Sequence, residues 1–282
     1  MKFFLAAIII FLAVIISPFK SFAQPGHSYD NSSIARLMTF RILFKENLDA
    51  ESKLLKRNKV KKIYLKNSKD DFWSERIRFI DVNGLINMEY SFDTMQSPVS
   101  AVRIVYDSIN MPSIIYQTDE SGLTYISHFY YKNGKISSII YSGDSIDYYL
   151  SAPVYSDNPG EPMLTKIKMQ RYDDDYYYIN FKYSESGKLI RVYEEGSPDL
   201  YKILNEPDKI TLTTVENDKI VLEFKNNIAQ KMSLDFDGGK GYISYENKFS
   251  ASGLRESVTV SYKDIDGKMR NYTQYYQYEF YK

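Results

Sequence analysis

Histidine and cysteine, the side chains that most often carry nucleophilic or metal chemistry, are scarce in this sequence. It has no cysteine and two histidines, His27 and His128. Disulfides, thiolate nucleophiles, sulfur metal sites and three-histidine metal sites are therefore excluded. A serine triad would have to use His128, and no Gly-x-Ser-x-Gly elbow is present to expose its serine. We predict no cofactor and no catalytic residue.

Three acidic clusters could supply the oxygen ligands that a hard cation such as calcium requires. They are residues 173–175, the pair Asp264 and Asp266, and the stretch from Asp235 to Glu246. The last comes closest to a calcium loop, but Gly239 and Lys240 stand where a ligand and the turn glycine belong. The clusters are therefore interpreted as turns, and we predict no metal site. A carboxylate-dependent hydrolase stays a hypothesis without assigned residues.

Aromatic side chains are the most distinctive feature of the composition, with 27 Tyr and 16 Phe against one Trp. Tyrosine suits a half-buried sheet because its ring packs while its hydroxyl reaches water. Alternate residues of a strand share a face, so Tyr176 and Tyr178 are expected to lie side by side. An aromatic face can pack against a sugar ring, and these two residues are our candidate ligand-binding residues.

Strand and hairpin patterns position these aromatic residues. Apolar and polar residues alternate over residues 209–216 and again over 219–225, with a polar turn between them, which predicts a hairpin. In a recurring phrase, an aromatic residue is separated by three or four residues from a Gly that is followed by Lys or Leu. It occurs at residues 79–86, 130–136 and 183–189, and more loosely at 249–254 and 262–269. Each phrase predicts a strand, a tight turn that needs positive φ, and a second strand.

The phrase resembles degenerate YD repeats of RHS-type proteins, and residues 130–136 also resemble MORN-type repeats. The resemblance implies exported bacterial proteins whose hairpins form a curved or wrapped sheet that serves as an envelope, shell or interaction scaffold. It implies no catalytic residues. The fold class that the patterns predict is mainly β: an antiparallel meander of Gly-turn hairpins, with one short helix near the N-terminus.

The chain divides into a leader and a β-rich region. Residues 1–23 combine Lys2, an apolar run and a small-residue site at Ala23, which predicts a cleavable signal peptide. No cysteine follows it, so we expect a periplasmic or extracellular protein and not a lipoprotein. Residues 24–33 are predicted to be a disordered lead-in. Residues 34–282 are predicted to be one β-rich repeat-like domain with a hinge at 151–163, a stretch that contains three prolines.

The charge balance excludes one class of partner but does not identify the partner itself. The 36 basic and 36 acidic residues balance, so nucleic acid is not an expected partner, and no segment after the leader is apolar enough for a transmembrane helix. We expect a non-enzymatic exported β-repeat protein that binds or scaffolds an envelope protein or glycan. An outer-membrane β-barrel is the alternative, although the predicted strands are about seven residues long where membrane strands need about 9 to 11.

Overall fold

The structure is a computed structural model, and it describes most of the chain after residue 44. The described residues are 39, 42–43, 45–67, 75–92, 97–107, 111–118, 122, 124–133, 135–143, 146–156, 163–170, 176–215, 217–236, 241–263 and 267–282. The predicted signal peptide, the lead-in and the acidic cluster at 173–175 lie outside them. Within these ranges, every helix is too short or too polar to cross a membrane.

One helix and eighteen strands make up the described fold. The helix, α1, spans Lys45–Arg57. The strands are β1 Val60–Asn67, β2 Arg76–Ile80, β3 Ile86–Phe92, β4 Pro98–Tyr106, β5 Pro112–Thr118, β6 Thr124–Lys132, β7 Lys135–Gly143, β8 Ile146–Tyr155, β9 Leu164–Gln170, β10 Tyr176–Tyr183, β11 Leu189–Glu194, β12 Asp199–Glu206, β13 Lys209–Thr214, β14 Lys219–Lys225, β15 Ile228–Phe236, β16 Gly241–Phe249, β17 Arg255–Lys263 and β18 Met269–Phe280.

The strands form one antiparallel meander whose two ends meet. Each strand pairs with the next along the chain, from β1–β2 to β17–β18. The first strand also pairs with the last, from Val60 opposite Phe280 to Asn67 opposite Gln274. The sheet therefore closes into a ring, and the predicted fold class, with its short N-terminal helix, is confirmed.

The interior of the ring is filled with apolar side chains. A circular ring of this many strands is wide enough to hold an aqueous channel, as in porins. Here the inward residues are instead shielded from solvent, and Ile136, Ile167 and Leu222 are 0% exposed. Among the described side chains, one buried apolar cluster takes residues from β1 to β7 and from β9 to β18, and Tyr155 of β8 packs against it. The described part of the ring is therefore a packed core and not an open tube.

Three of the predicted Gly-turn hairpins share one loop geometry. In the loop at 81–85 the Gly84 N–H donates to the Asp81 carbonyl, and the Asp81 N–H donates to the Leu85 carbonyl. The loops at 184–188 and 250–254 repeat both bonds, and their glycines also have φ near +80°. These are three-residue loops with glycine in the left-handed position. The turn after β6 differs, because Lys132 pairs directly with Lys135 and Asn133 has φ of 52°.

A tyrosine hydrogen bond recurs at the same end of several hairpins. The Tyr183 hydroxyl, at the end of β10, donates to the carbonyl of Leu164 at the start of β9, at 2.9 Å. Burial raises the pKa of Tyr183, so the hydroxyl keeps its proton and stays a donor. Three further hydroxyls donate in the same way to the carbonyl of the first residue of the preceding strand: Tyr106 to Ile86, Tyr131 to Pro112 and Tyr278 to Arg255. These four tyrosines, two of which belong to the glycine phrases, thus connect neighbouring strands.

Helix α1 packs against the turns at that end of the ring. The Ser52 hydroxyl donates to the Gly84 carbonyl in the loop at 81–85. The Arg57 guanidinium donates to the Ser252 carbonyl in the loop at 250–254. Leu55 joins the buried core. The helix therefore joins two hairpins that are far apart in sequence but are brought together by ring closure.

Two proline-containing segments contain strand. Residues 151–155 of the predicted hinge belong to β8 and pair with β9, with Pro153 opposite Ile167, while residues 157–162 lie outside the described part. The stretch 196–208, which contains two prolines and would be taken for a loop, holds β12 at Asp199–Glu206. Both prolines lie outside β12, so they leave its hydrogen bonding intact.

Candidate interaction surface

The outer wall of the ring is apolar over seven consecutive strands. Across β2 to β8 the outward-facing residues are mostly apolar, as the core-facing ones are. In β5, for example, the outward Ile114 and Tyr116 flank the buried Ile115. We call these outward residues the apolar sector: Ile77, Phe79, Met88, Tyr90, Phe92, Ala101, Val105, Ile114, Tyr116, Ile126, Ile140, Ala152 and Val154. Arg103 and His128 lie among them.

The remaining strands, β9 to β18 and β1, have a charged outer wall, which we call the polar sector. Cross-strand pairs there join opposite charges, such as Lys231 with Glu246 and Lys209 with Glu223. Further outward charges lie on neighbouring strands: Lys182, Arg191, Lys202, Lys219, Asp235, Lys248 and Glu279. Such a surface is suited to water. The outer wall is thus divided lengthwise into two unlike halves.

Lysines lie along both margins of the apolar sector. Lys62 and Lys66 face outward from β1, and Lys166 and Lys168 face outward from β9. From β1 to β9, the outward strand side chains that the structure describes include no aspartate or glutamate. At the β1 margin the Glu279 carboxylate lies 2.8 Å from the Lys61 ammonium and 3.5 Å from that of Lys62. The described outward strand side chains from β1 to β9 therefore carry a net positive charge.

Aromatic rings and cations contact one another within the sector. Phe79 and Tyr90 meet edge to face with centroids 6.1 Å apart, and Phe92 lies 6.4 Å from Tyr90. The Arg103 guanidinium lies 5.9 Å from the centre of the Tyr116 ring, and the Lys62 ammonium 5.2 Å from that of Phe79. Cations at these distances are attracted to the ring face. The rings therefore hold the two cations close to the apolar surface.

A groove of about 650 Å³ opens on the outer wall between β1 and β4. Phe79, Met88 and Val105 give it apolar walls, and Lys61 and Arg103 bring positive charge. The Asp81 carboxylate also lines it but accepts the N–H groups of Asn83 and Leu85, both at 2.8 Å, within its own turn. The groove combines an apolar surface with cations, a chemistry suited to an amphipathic anion.

A second groove, of about 440 Å³, lies on the polar sector between β10 and β13. It is lined by Lys182, Arg191 and Lys202. The Asp199 carboxylate also lines it, forms an ion pair with Arg191 and lies 3.9 Å from the Lys202 ammonium. Its cations are thus partly neutralised by a carboxylate within the groove itself.

Charged side chains also lie inside the ring, beneath α1. Arg78 of β2 pairs with Glu89 of β3, and the two side chains are 5% and 2% exposed. Burial disfavours the charged guanidinium, but the Glu89 carboxylate, together with Tyr276 and Glu51, outweighs this effect and the pKa of Arg78 is raised. Arg255 pairs with Glu51 of the helix at 2.9 Å. The space beside them is about 20 Å³, which holds one water molecule, so this cluster is suited to structure and not to ligand binding.

The residues proposed from sequence lie apart from the groove between β1 and β4. Tyr178 faces outward from β10, opposite Lys168, and the Lys166 ammonium lies 4.5 Å from the centre of its ring. Tyr176 lies in the same strand, but its side chain is outside the described part. His128 faces outward on β6, between Ile114 and Ile140. Among the residues that the structure describes, no three potential ligand side chains come together as a metal site.

The sequence contained a signal for the apolar sector that the alternation analysis did not use. Adjacent apolar residues such as Ile114 and Ile115, or Ile139 and Ile140, make both faces of a strand apolar. In β9, by contrast, lysines alternate with apolar residues such as Ile167, as is typical of a strand with one solvent-exposed face. Runs of adjacent apolar residues within a β region would have marked the second surface.

Comparison with known proteins identifies no family. No family model matches the sequence, and no curated protein matches it. Among solved structures, a porin-like protein from Bacteroides uniformis aligns over 79% of this chain and 97% of its own, at 12% identity and a TM-score of 0.44. The Tc holotoxin pore of Photorhabdus luminescens aligns over 73% and 16%, at 11% identity and a TM-score of 0.19. BamB from Moraxella catarrhalis aligns over 73% and 82%, at 9% identity and a TM-score of 0.17. Similarities this low carry no functional argument.

Proposed function

We propose that this protein is a β-barrel of the bacterial cell envelope that is held at a membrane surface by its apolar sector. The observation that carries the proposal is the division of the outer wall into an apolar half bordered by lysines and a charged half. Seven strands at about 4.8 Å spacing give the apolar half a width of roughly 30 Å. Its side chains are half-buried, except for the exposed Val154, and together they form one contiguous solvent-facing apolar surface. A contiguous apolar surface this wide marks an interaction site, because monomeric proteins rarely expose more than a few hundred square ångströms of it.

Physical chemistry favours a lipid surface for this half. Burying about 500 Å² of apolar surface stabilises by roughly 12 kcal/mol before the costs of association. Each lysine near an anionic membrane adds about 1 kcal/mol. Tyrosine is also a residue of membrane interfaces, where its ring meets lipid and its hydroxyl meets water.

A barrel that spans the outer membrane is the second candidate. The closed antiparallel ring with an even number of strands favours it, and eight strands have nine to twelve residues, longer than the sequence suggested and long enough to span. Against it, spanning would place the polar sector in lipid, at about 2 to 4 kcal/mol for each lysine near the midplane. Surface attachment avoids this cost.

Vesicle flotation tests the proposal. The protein without residues 1–23 should float with vesicles that contain phosphatidylglycerol. Ile126→Glu places a carboxylate in the apolar sector and should lower vesicle binding at least tenfold, because a charge then enters the contact. Val221→Glu is the matched control, since Val221 also faces outward in mid-strand but lies in the polar sector. Loss of flotation in both variants, or in neither, would contradict the proposal. Carbonate extraction separates the candidates, because it releases a surface-bound barrel and leaves a spanning one in the membrane.

Glycan binding through Tyr176 and Tyr178 remains a separate proposal for the polar sector. The outward, half-buried position of Tyr178 supports it. A glycan array should then give a ligand that Tyr178→Ala weakens, and an array without such a ligand would remove the proposal. We also propose that the hairpins derive from one duplicated unit related to YD or MORN repeats, which the recurring tyrosine bonds support.

A further inference from the structure

We propose that the groove beside Arg103 binds the phosphate of an anionic phospholipid, with the apolar part of the lipid against Phe79 and Met88. The inference rests on the proposed membrane attachment and names the lipid chemistry that the apolar sector recognises. It concerns one place on that surface, near the end of the ring where α1 packs.

Arg103 is a permanent charge placed within an otherwise apolar surface. It is exposed, and its flanking partners across the ladder are Met88 on one side and Tyr116 on the other. Among the residues that the structure describes, no carboxylate lies within ion-pairing distance of its guanidinium. A cation that contacts lipid without a protein counter-ion is stable only if the lipid supplies the anion. Guanidinium groups match phosphate oxygens in two-point hydrogen bonding, so a phosphate is the fitting anion.

The neighbouring residues supply what the rest of such a ligand requires. A groove of about 650 Å³ falls within the range of small-molecule sites, and Phe79, Met88 and Val105 offer apolar walls for the glycerol and the first methylene groups. Lys61 borders the groove, but the Glu279 carboxylate holds its ammonium at 2.8 Å. Arg103 is therefore the group on which phosphate binding depends.

Two other occupants fit less well. A second copy of this chain related by a two-fold axis would bring the lysines at the sector margins, and the two Arg103 side chains, towards each other without acids to neutralise them. A peptide strand that extends a sheet edge has no place to pair, because β1 and β18 hydrogen-bond to each other and close the ring. Free phosphate would leave the apolar walls uncovered.

Calorimetry with a short-chain lipid below its micelle concentration tests the inference directly. Dihexanoyl phosphatidylglycerol should bind to the full mature chain, and dihexanoyl phosphatidylcholine and inorganic phosphate should each bind at least tenfold more weakly. Arg103→Gln should weaken phosphatidylglycerol binding about tenfold, because a charge-assisted hydrogen bond is lost. Arg191→Gln is the matched control, since Arg191 also faces outward and lies 4.4 Å from a tyrosine ring, that of Tyr193, but in the polar sector. It should bind as the unmodified chain does.

Equal binding by Arg103→Gln and the unmodified chain, or no binding of the short-chain lipid at all, would overturn the inference. Equal binding of inorganic phosphate and phosphatidylglycerol would also overturn it, because the apolar walls would then contribute nothing. Flotation keeps the two proposals distinguishable. If the chain floats with vesicles but binds no short-chain lipid, membrane attachment stands and the lipid site fails. If it binds the lipid through Arg103 but does not float, the site stands and the attachment fails.

Discussion

Replacing the turn glycines by alanine should measure how firmly helix α1 packs on the ring. Gly84, Gly187 and Gly253 occupy equivalent places in three loops of one geometry, with φ of 80°, 77° and 83°. Each substitution carries the cost of placing alanine in the left-handed region, about 1 to 2 kcal/mol. What differs among the three is the atom that the new methyl group meets.

The surroundings of the three glycines predict a graded loss of stability. At Gly187 the nearest atom is the Met163 sulfur at 3.9 Å, so the backbone cost stands alone. At Gly253 a methyl group would lie 3.2 Å from a Leu54 methyl, which can move, and we expect less than about 1 kcal/mol more. At Gly84 it would lie 2.3 Å from the Ser52 carbonyl oxygen, which is helix backbone. Displacing the helix should add about 2 to 4 kcal/mol, including the lost hydrogen bond from Ser52.

Urea unfolding of the chain without residues 1–23, followed by circular dichroism, provides the free energies of unfolding by linear extrapolation. The expected order of destabilisation is Gly84→Ala, then Gly253→Ala, then Gly187→Ala. Equal losses for all three would refute the packing of the helix against the loop at 81–85. A loss below about 0.5 kcal/mol for Gly187→Ala would refute the positive φ itself.

Three further predictions concern polar contacts of the ring, each measured by the same unfolding assay. Glu89→Gln should lower the unfolding free energy by about 3 to 5 kcal/mol, because Arg78 then stays buried without its counter-ion. Glu206→Gln, which removes one partner of an exposed ion pair, should lower it by less than about 1 kcal/mol. Similar losses in the two variants would contradict the buried pairing. The hydrogen bond from Lys61 lowers the pKa of Glu279, so the stabilisation by this ion pair is present above the ordinary glutamate pKa and is lost as pH falls through the lower folded-state pKa. The difference in unfolding free energy between the unmodified chain and Glu279→Gln should be constant from pH 7 to about pH 5 and vanish in acid. A difference that grows in acid would contradict this prediction. The tyrosines that bridge neighbouring strands are Tyr106, Tyr131, Tyr183 and Tyr278. Replacing one of them by phenylalanine should lower the unfolding free energy by about 1 kcal/mol, and the losses should add between separate hairpins. A double variant that is no less stable than a single one would contradict independent hydrogen bonds.

Local patterns predicted the hairpins because each depends on residues that are close in sequence. The alternation around residues 209–225 became β13 and β14, and the glycine phrases became loops with the expected positive φ. Proline content was less informative. It suggested loops at 151–163 and 196–208, yet Pro153 lies within β8 and the second stretch contains β12. Proline excludes only its own N–H from a ladder, so neighbouring residues still pair.

The candidate surface could not be located from sequence for a different reason. Alternation shows which residues share a face, but when both faces are apolar it does not show which one is buried. In β5, Ile114 and Ile115 are equally apolar, and only the packed core shows that Ile115 faces inward. Arg103 likewise lies among apolar residues of β4, and the sequence does not show that its neighbours across the sheet, Met88 and Tyr116, surround it with an apolar surface.

The sequence by itself determined a chain of antiparallel hairpins without cysteine chemistry, because strand alternation, turn glycines and composition are local properties. The tertiary structure decided that the hairpins close, since the contact between Val60–Asn67 and Met269–Phe280 joins segments about two hundred residues apart for which no local pattern exists. Closure in turn decides which face of each strand is buried, where α1 packs, and which seven strands present an apolar surface to the outside. Those consequences depend on the curvature and register of the whole ring, which no single hairpin contains.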